Sequence, residues 1–287
     1  MRVGITGANS IVGRAYVRHA VGLGHQVTEF VRVPDVRKEV QLLLGSDFDL
    51  DIFADLDCVI HLAWDRSRDQ QRSQTANLEG ASRLVDACKR HHVYPHFLST
   101  MSAYANPQSH YGYTKNQVEN IFGGGGGTYV RAGLIWGGEM TPMLRSIRQI
   151  SSLPLICPHL TPTSLLFHSF EDALISASLS MCERKLSTSE SGDVVADKPV
   201  SLEEIQHEFN SLQRRFHMSV PSKIVYECSR MLESVRIPLP FRSDSLASFL
   251  GSSGLVIPNL VKSDVTYGVL PGNADFFEWL RSTNLTS

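Results

Sequence analysis

The stretch Arg2-Val3-Gly4-Ile5-Thr6-Gly7-Ala8-Asn9-Ser10-Ile11-Val12-Gly13 decides how this chain is read. A short apolar run of strand type passes directly into a turn bracketed by Gly7 and Gly13, and a helical pattern follows. Such a turn bends the chain sharply and brings a helix N-terminus, with its unpaired amides and positive dipole end, against an anion such as a pyrophosphate. In the spacing G-x-x-G-x-x-G the middle glycine is here Ser10, which gives up some closeness of approach and adds a hydroxyl.

Downstream, short apolar runs alternate with helical patterns. Gln26 to Val31, Val40 to Leu44, Cys58 to Leu62, His96 to Ser99 and Thr128 to Ala132 are strand candidates, and the alternation predicts a parallel sheet wound by crossover helices. Leu78, Ala81, Leu84, Val85 and Cys88 mark one apolar face of a helix from about Arg72 to Arg90. A second helix spans Tyr111 to Phe122, and the five glycines Gly123 to Gly127 stop it and read as a mobile surface loop. After Trp136 the prolines Pro142, Pro154, Pro158 and Pro162 punctuate short segments, a helix opens at Glu171, and Gly192 to Ala196 reads as another strand. Ser201-Leu202-Glu203-Glu204 has the form of an N-cap and first helical turn. The division expected is a dinucleotide-binding part over 1–137, with some of 165–200 returning to it, and a substrate-binding lobe from 138–164 and 201–287.

Composition narrows the function. The 27 Lys and Arg balance 29 Asp and Glu, so no overall field draws in nucleic acid or an anionic membrane surface. Cys58, Cys88, Cys157, Cys182 and Cys228 are odd in number and have no CxxC spacing, as expected of reduced thiols. Chain start and hydropathy leave no place for a signal peptide or membrane helix, so a cytoplasmic protein is expected. His91, His92 and His96 lack a suitably spaced carboxylate or thiol, and no metal is expected.

The chemistry is carried by Ser-His-Tyr-Gly-Tyr-Thr-Lys, where Tyr111 and Lys115 stand four apart and share a helix face. An ammonium near the phenol favours its ionised form and makes it a proton donor and acceptor near neutral pH. At the end of the second strand an acid would bind the adenosine ribose, whereas an arginine favours a 2′-phosphate. Val31 falls at the acid position with Arg32 next and Arg37 as a helper, which favours NADP(H). Glu29, two residues earlier, keeps NAD(H) open.

With these residues in view, the chain resembles the extended short-chain dehydrogenase/reductase family, the NAD(P)-dependent epimerase/dehydratase group that works largely on nucleotide sugars. The resemblance rests on Asp57-Cys58-Val59-Ile60-His61-Leu62-Ala63, on Asn77-Leu78-Glu79-Gly80 and on Arg131-Ala132-Gly133-Leu134-Ile135-Trp136-Gly137. Phe167 to Asp172 is similar to a further segment of the family, with Ser169 where its histidine belongs. The resemblance implies a Rossmann doubly wound parallel α/β sheet with a small C-terminal substrate-binding lobe. It implies a catalytic set of Thr100, Tyr111 and Lys115, with Gly7, Asn9, Ser10, Ile11, Val12, Gly13, Arg32, Leu62, Ala63, Asn77 and Ser99 beside the cofactor. Ser102, Arg145, Arg148 and Arg242 are the candidates for holding substrate.

The family's 4,6-dehydratases carry Asp-Glu directly after the threonine, and Met101-Ser102 stands there instead, so dehydration is disfavoured. Epimerisation and net ketone reduction both remain, as does an NADPH-dependent carbonyl reductase of a small metabolite. A non-catalytic NAD(P)-binding regulator has no need of the Thr100, Tyr111 and Lys115 set. The resemblance also implies a homodimer through the helices of residues 72–90 and 111–122.

Overall fold

The computed structural model describes residues 1–35, 39–104, 107, 109–152, 156–210, 216–234, 243–244, 247–248 and 271–285. Its centre is β1 (Arg2–Thr6), flanked by β2 (Gln26–Val31) and β4 (Cys58–His61). Beyond these lie β3 (Glu39–Gln41) on one side, and β5 (Tyr94–Thr100), β6 (Thr128–Ala132) and β11 (Gly192–Val194) on the other. The order is β3-β2-β1-β4-β5-β6-β11, and every pairing in this seven-stranded sheet is parallel. This is the doubly wound order, whose direction of winding reverses between β1 and β4. The remaining strands pair off as β7 (Leu134–Trp136) with β10 (His168–Phe170), β8 (Ile156–Thr161) with β13 (Phe216–Pro221), and β9 (Leu165–Leu166) with β12 (Val200–Ser201).

A parallel sheet must be covered on both faces. On one face α1 (Ile11–Gly22) and α5 (Glu171–Arg184) bury Ala15, Tyr16, Leu174 and Met181 against Val3, Ile5 and Ile60. On the other, α2 (Gln70–His91) and α3 (His110–Gly124) bury Leu84, Val85, Val118 and Phe122 against Phe30, Val59 and Phe97. A third cluster gathers Trp136 of β7 with Leu144, Ile147, Ile205, Phe276 and Leu280 from α4 (Pro142–Ser151), α6 (Leu202–Asn210) and the C-terminal helix Asn273–Leu285. His168 joins it to the sheet side: Trp136 Nε1 donates to its Nδ1 at 2.9 Å and its Nε2 meets Asn273 Oδ1 at 3.0 Å. The predicted N-cap turn is a capping box, in which the side chains of Ser201 and Glu204 reach each other's amides at 3.1 and 2.7 Å. Among the described residues no helix is long and apolar enough to cross a membrane.

Two expectations need correction. The third strand is Glu39–Gln41, shorter and earlier than Val40 to Leu44. The glycine run does not stop the helix at Phe122. Helix α3 continues into it to Gly124, Gly125 caps it, and Gly126 turns at φ +80°. Thr188 Oγ1 donates to the carbonyls of Gly123 and Gly127 at 3.1 and 2.8 Å. A Cβ on Gly125 would strike Val85, and one on Gly127 would strike the Pro95 carbonyl oxygen. Gly123, Gly125 and Gly127 are glycine because Thr188, Val85 and Pro95 press on them.

These contacts give unequal tolerances along the run. Gly124→Ala, with open space at its Cβ, is expected to be neutral or to stabilise by up to about 1 kcal/mol, whereas Gly127→Ala destabilises clearly. Urea unfolding of the two variants checks the contrast.

Burial pushes His61 and His96 down to about 3. Both stay neutral in the folded chain while the unfolded chain takes up protons below about 6.5, so stability falls as pH drops from there toward 3. Between pH 7.5 and 5.5 the two together are expected to remove about 3 kcal/mol, readable from urea unfolding at the two pH values.

Candidate active site

At the carboxyl ends of β1 and β4 the chain is drawn tight. Gly7 sits at φ +71°, and a Cβ there would come within 2.9 Å of the Ala63 backbone nitrogen. A Cβ on Gly13 would strike the Gly7 carbonyl oxygen, so α1 packs directly against the turn. Ser10 is the N-cap of α1, its hydroxyl accepting from the Gly13 amide at 2.9 Å. The residue standing in for the middle glycine therefore spends its oxygen on the helix, while the amides of Ile11 and Val12 have no acceptor within the helix. Those amides, the glycine turn and the dipole of α1 form a cradle that fits a pyrophosphate. Arg14 braces it: Nη1 donates to the Asn9 carbonyl at 2.9 Å, and Nη2 pairs with both Glu139 oxygens at 3.0 and 2.9 Å.

Thr6 organises the neighbouring loop. Its hydroxyl accepts from the amides of Leu62 and Ala63, both at 3.1 Å, and lies 2.8 Å from His61 Nδ1. The buried Asn77 then pins the next stretch. Its Oδ1 accepts from the Asp65 amide at 2.8 Å, and its Nδ2 donates to the carbonyls of Asp65 and Ser73 at 3.1 and 2.7 Å. Asn77 thus shapes the loop carrying Trp64 and Arg66, with its amide consumed in doing so. Val31 is buried, and Arg32 is exposed at the end of β2, its carbonyl accepting from Gln41 at 3.2 Å. Arg37 lies outside the described residues.

Thr100 ends β5, and its hydroxyl accepts from the Ser102 amide at 3.3 Å. Ser99 points the other way, donating to Glu119 at 2.5 Å within a buried network. Arg131 grips Glu119 through Nε at 2.8 Å and Nη2 at 2.6 Å, and Asp193 lies 3.6 Å from Arg131 Nη1. Helix α3 sets Tyr111 and Lys115 on the same side of the sheet. A Cβ on Gly112 would run into the Ser102 carbonyl oxygen, so only glycine lets the first turn of α3 sit beside the end of β5.

The expected closeness of ammonium and phenol takes another form. Lys115 is buried, its Nζ donating to the Leu98 carbonyl at 2.8 Å and lying 4.2 Å from the Trp64 ring centroid and 4.3 Å from that of Phe97. It is 5.9 Å from the centroid of the Tyr111 ring, against whose edge Trp64 packs at 5.5 Å. Burial and, less strongly, Arg66 bring Lys115 down to about 7, against a smaller opposing pull from Glu119. Burial raises the Tyr111 phenol above its usual value, Arg66 lowers it and Asp244 raises it.

Ser102 adjoins Thr100 and is half-buried. On α4, Arg145 is exposed and Arg148 half-buried, while that helix turns Leu144 and Ile147 into the third apolar cluster. Arg242 lies outside the described residues. The three histidines have separate duties: His91 meets Asp51 at 2.9 Å, His92 ends α2, and His96 meets Thr128 at 2.9 Å. Sequence reading missed Trp64, Arg66, Glu119 and Asp244. For Glu119 the signal was present, four residues after Lys115 on one helix face. Asp244 carries no local signal.

Residues 3–122 match the NAD dependent epimerase/dehydratase family. The fold is similar to those of solved structures. "MoeE5 in complex with UDP-glucuronic acid and NAD" has 18% identity and a TM-score of 0.67, covering 99% of this chain and 100% of that one. A UDP-N-acetylglucosamine 4-epimerase from Bacillus cereus has 16% identity and a TM-score of 0.61, over 88% and 100%. UDP-glucose 4-epimerase of Thermus thermophilus, in complex with NAD, has 18% identity and a TM-score of 0.59, over 89% and 100%. No curated protein matches the chain by sequence.

Proposed function

We propose that this chain, which belongs through residues 3–122 to the NAD dependent epimerase/dehydratase family, is an NAD(P)-dependent epimerase or ketoreductase acting on a nucleotide sugar. The observation that carries the reading is the grouping of Thr100 at the end of β5 with Tyr111 and Lys115 on α3, on the sheet edge that also holds the Gly7 to Gly13 cradle. The nucleotide-sugar class is supported by relatives of the same fold whose complexes hold UDP-glucose or UDP-glucuronic acid.

The turn from Gly7 to Gly13, with the Ile11 and Val12 amides, would hold the dinucleotide's pyrophosphate, and Leu62 and Ala63 would border it. When bound, the dinucleotide supplies a hydride acceptor or donor. Thr100 orients the reacting oxygen through its hydroxyl. Tyr111 moves the proton on that oxygen, and Lys115 stands behind it in the aromatic box of Trp64 and Phe97. A phenol held above its usual value is protonated at neutral pH, which readies it to donate to a carbonyl oxygen. That favours the reductive direction. Arg32 favours NADP(H) over NAD(H), although two of the solved structures named above hold NAD.

Calorimetry with NADPH and NADH on the purified chain and on Arg32→Ala tests the cofactor. NADPH is expected to bind more tightly, with the preference lost in the variant, and tighter NADH would overturn the Arg32 reading. Tyr111→Phe should bind cofactor normally and lose at least about 100-fold in turnover of a UDP-4-keto-sugar.

Helices α2 and α3 lie side by side, joined by Gln74 Nε2 donating to Gln117 at 2.9 Å, with Tyr113 half exposed. A homodimer through them is part of the proposal. Light scattering should give about twice the chain mass of 31.9 kDa, and a monomer would remove the dimer from it.

A further inference from the structure

The first turn of α3 is held from outside its own neighbourhood. A helix leaves its first amides without intrahelical acceptors, and flanking side chains normally supply them. Ser109 does so locally, accepting from the Gly112 amide at 2.9 Å. The two amides before it go to a residue far along the chain. His110 N–H donates to Asp244 Oδ1 at 2.8 Å and Tyr111 N–H to Asp244 Oδ2 at 3.0 Å. Ser248 repeats the attachment, its hydroxyl donating to Ser109 Oγ at 2.8 Å. Ser243 is itself anchored, its amide and hydroxyl donating to the two Glu233 oxygens at 2.8 and 2.6 Å.

We propose that Asp244 is a positioning residue for Tyr111: its carboxylate closes the first turn of α3 and makes the placement of the phenol depend on a C-terminal segment being docked there. The turn is then clamped from two sides. On one, Gly112 lies against the Ser102 carbonyl, beside Thr100. On the other, both Asp244 oxygens hold the amide of Tyr111 and that of the residue before it.

The charges around the phenol agree with this arrangement. Arg66 from the loop after β4 favours the phenolate, Asp244 opposes it, Lys115 points its ammonium at the Leu98 carbonyl, and Glu119 acts on Lys115 from the next turn. A carboxylate held against the backbone of Tyr111 therefore places the side chain and adds to burial, the larger cause, in raising the phenol. A cap contributed locally would fix the helix regardless of the C-terminal segment. A remote one couples the two.

The proposal deepens the reading of Tyr111 as the proton-transfer group, and its test does not require turnover. Tyrosine ionisation is followed by ultraviolet difference absorbance in the full chain. Subtraction of the same titration of a Tyr111→Phe form isolates Tyr111. Asp244→Asn keeps the shape and one acceptor while removing the charge, and Asp244→Ala removes both. Each is expected to lower the Tyr111 midpoint by about half a pH unit or more, and Arg66→Gln to raise it. Ser248→Ala, which leaves the carboxylate in place, should move it far less. An unchanged midpoint in both Asp244 variants, in protein that melts as the parent does, overturns the proposal. Shifts as expected with no turnover on any nucleotide sugar or keto-sugar would sustain it while removing the enzymatic reading.

Discussion

One buried hydroxyl holds the carboxyl edge of the sheet together. Thr6 Oγ1 accepts from two successive amides of the chain leaving β4 and is hydrogen-bonded to His61 Nδ1. Strands β1 and β4 are where the direction of winding reverses, so a crevice opens at their ends in any sheet of this order. What Thr6 adds is a closed floor to it. With Leu62 and Ala63 drawn in, Gly7 has no room for a side chain, and the turn above must take the left-handed conformation that glycine adopts without strain. The position of Trp64 and Arg66 follows from the bonds of Asn77, which pin Asp65 between them.

Below this edge the charged groups are arranged with few losses. Arg131 and Glu119 are nearly removed from solvent and share two short bonds, with Asp193 and Ser99 completing their surroundings. Breaking one partner of such a pair leaves an uncompensated buried charge, typically at about 3–5 kcal/mol. Lys115, one helical turn from Glu119, lacks so close a partner. Its ammonium has a carbonyl and two ring faces, which offset only part of the desolvation, and it is therefore readily deprotonated.

The legible parts of the fold were those decided locally. Periodicity and glycine spacing located β1, β2, β6 and the helices α2 and α3 within a few residues, because each buries a face that its own sequence pattern marks. The glycine run was misjudged for the opposite reason. Composition reports conformational freedom, whereas the contacts of Val85, Pro95 and Thr188 with those residues come from elements distant in the chain. The same limit hid Asp244, 133 residues from the amide of Tyr111 that it binds, and the box around Lys115, whose walls come from a loop and from β5. The spacing of Tyr111 and Lys115 was visible. Which way the lysine's nitrogen turned was not, since that depends on a carbonyl and rings that only the folded sheet assembles.

Trp64 also gives the protein an optical handle. Of the three tryptophans, Trp136 and Trp279 lie 6.0 Å apart in the cluster of the C-terminal part, and Trp64 stands apart from them between Tyr111 and Lys115. Indole emission responds to nearby charge and to stacking partners. The fluorescence of a form with Trp136 and Trp279 replaced by phenylalanine would thus come from a single indole in van der Waals range of the lysine, turning a packing residue into a built-in spectroscopic probe of the site.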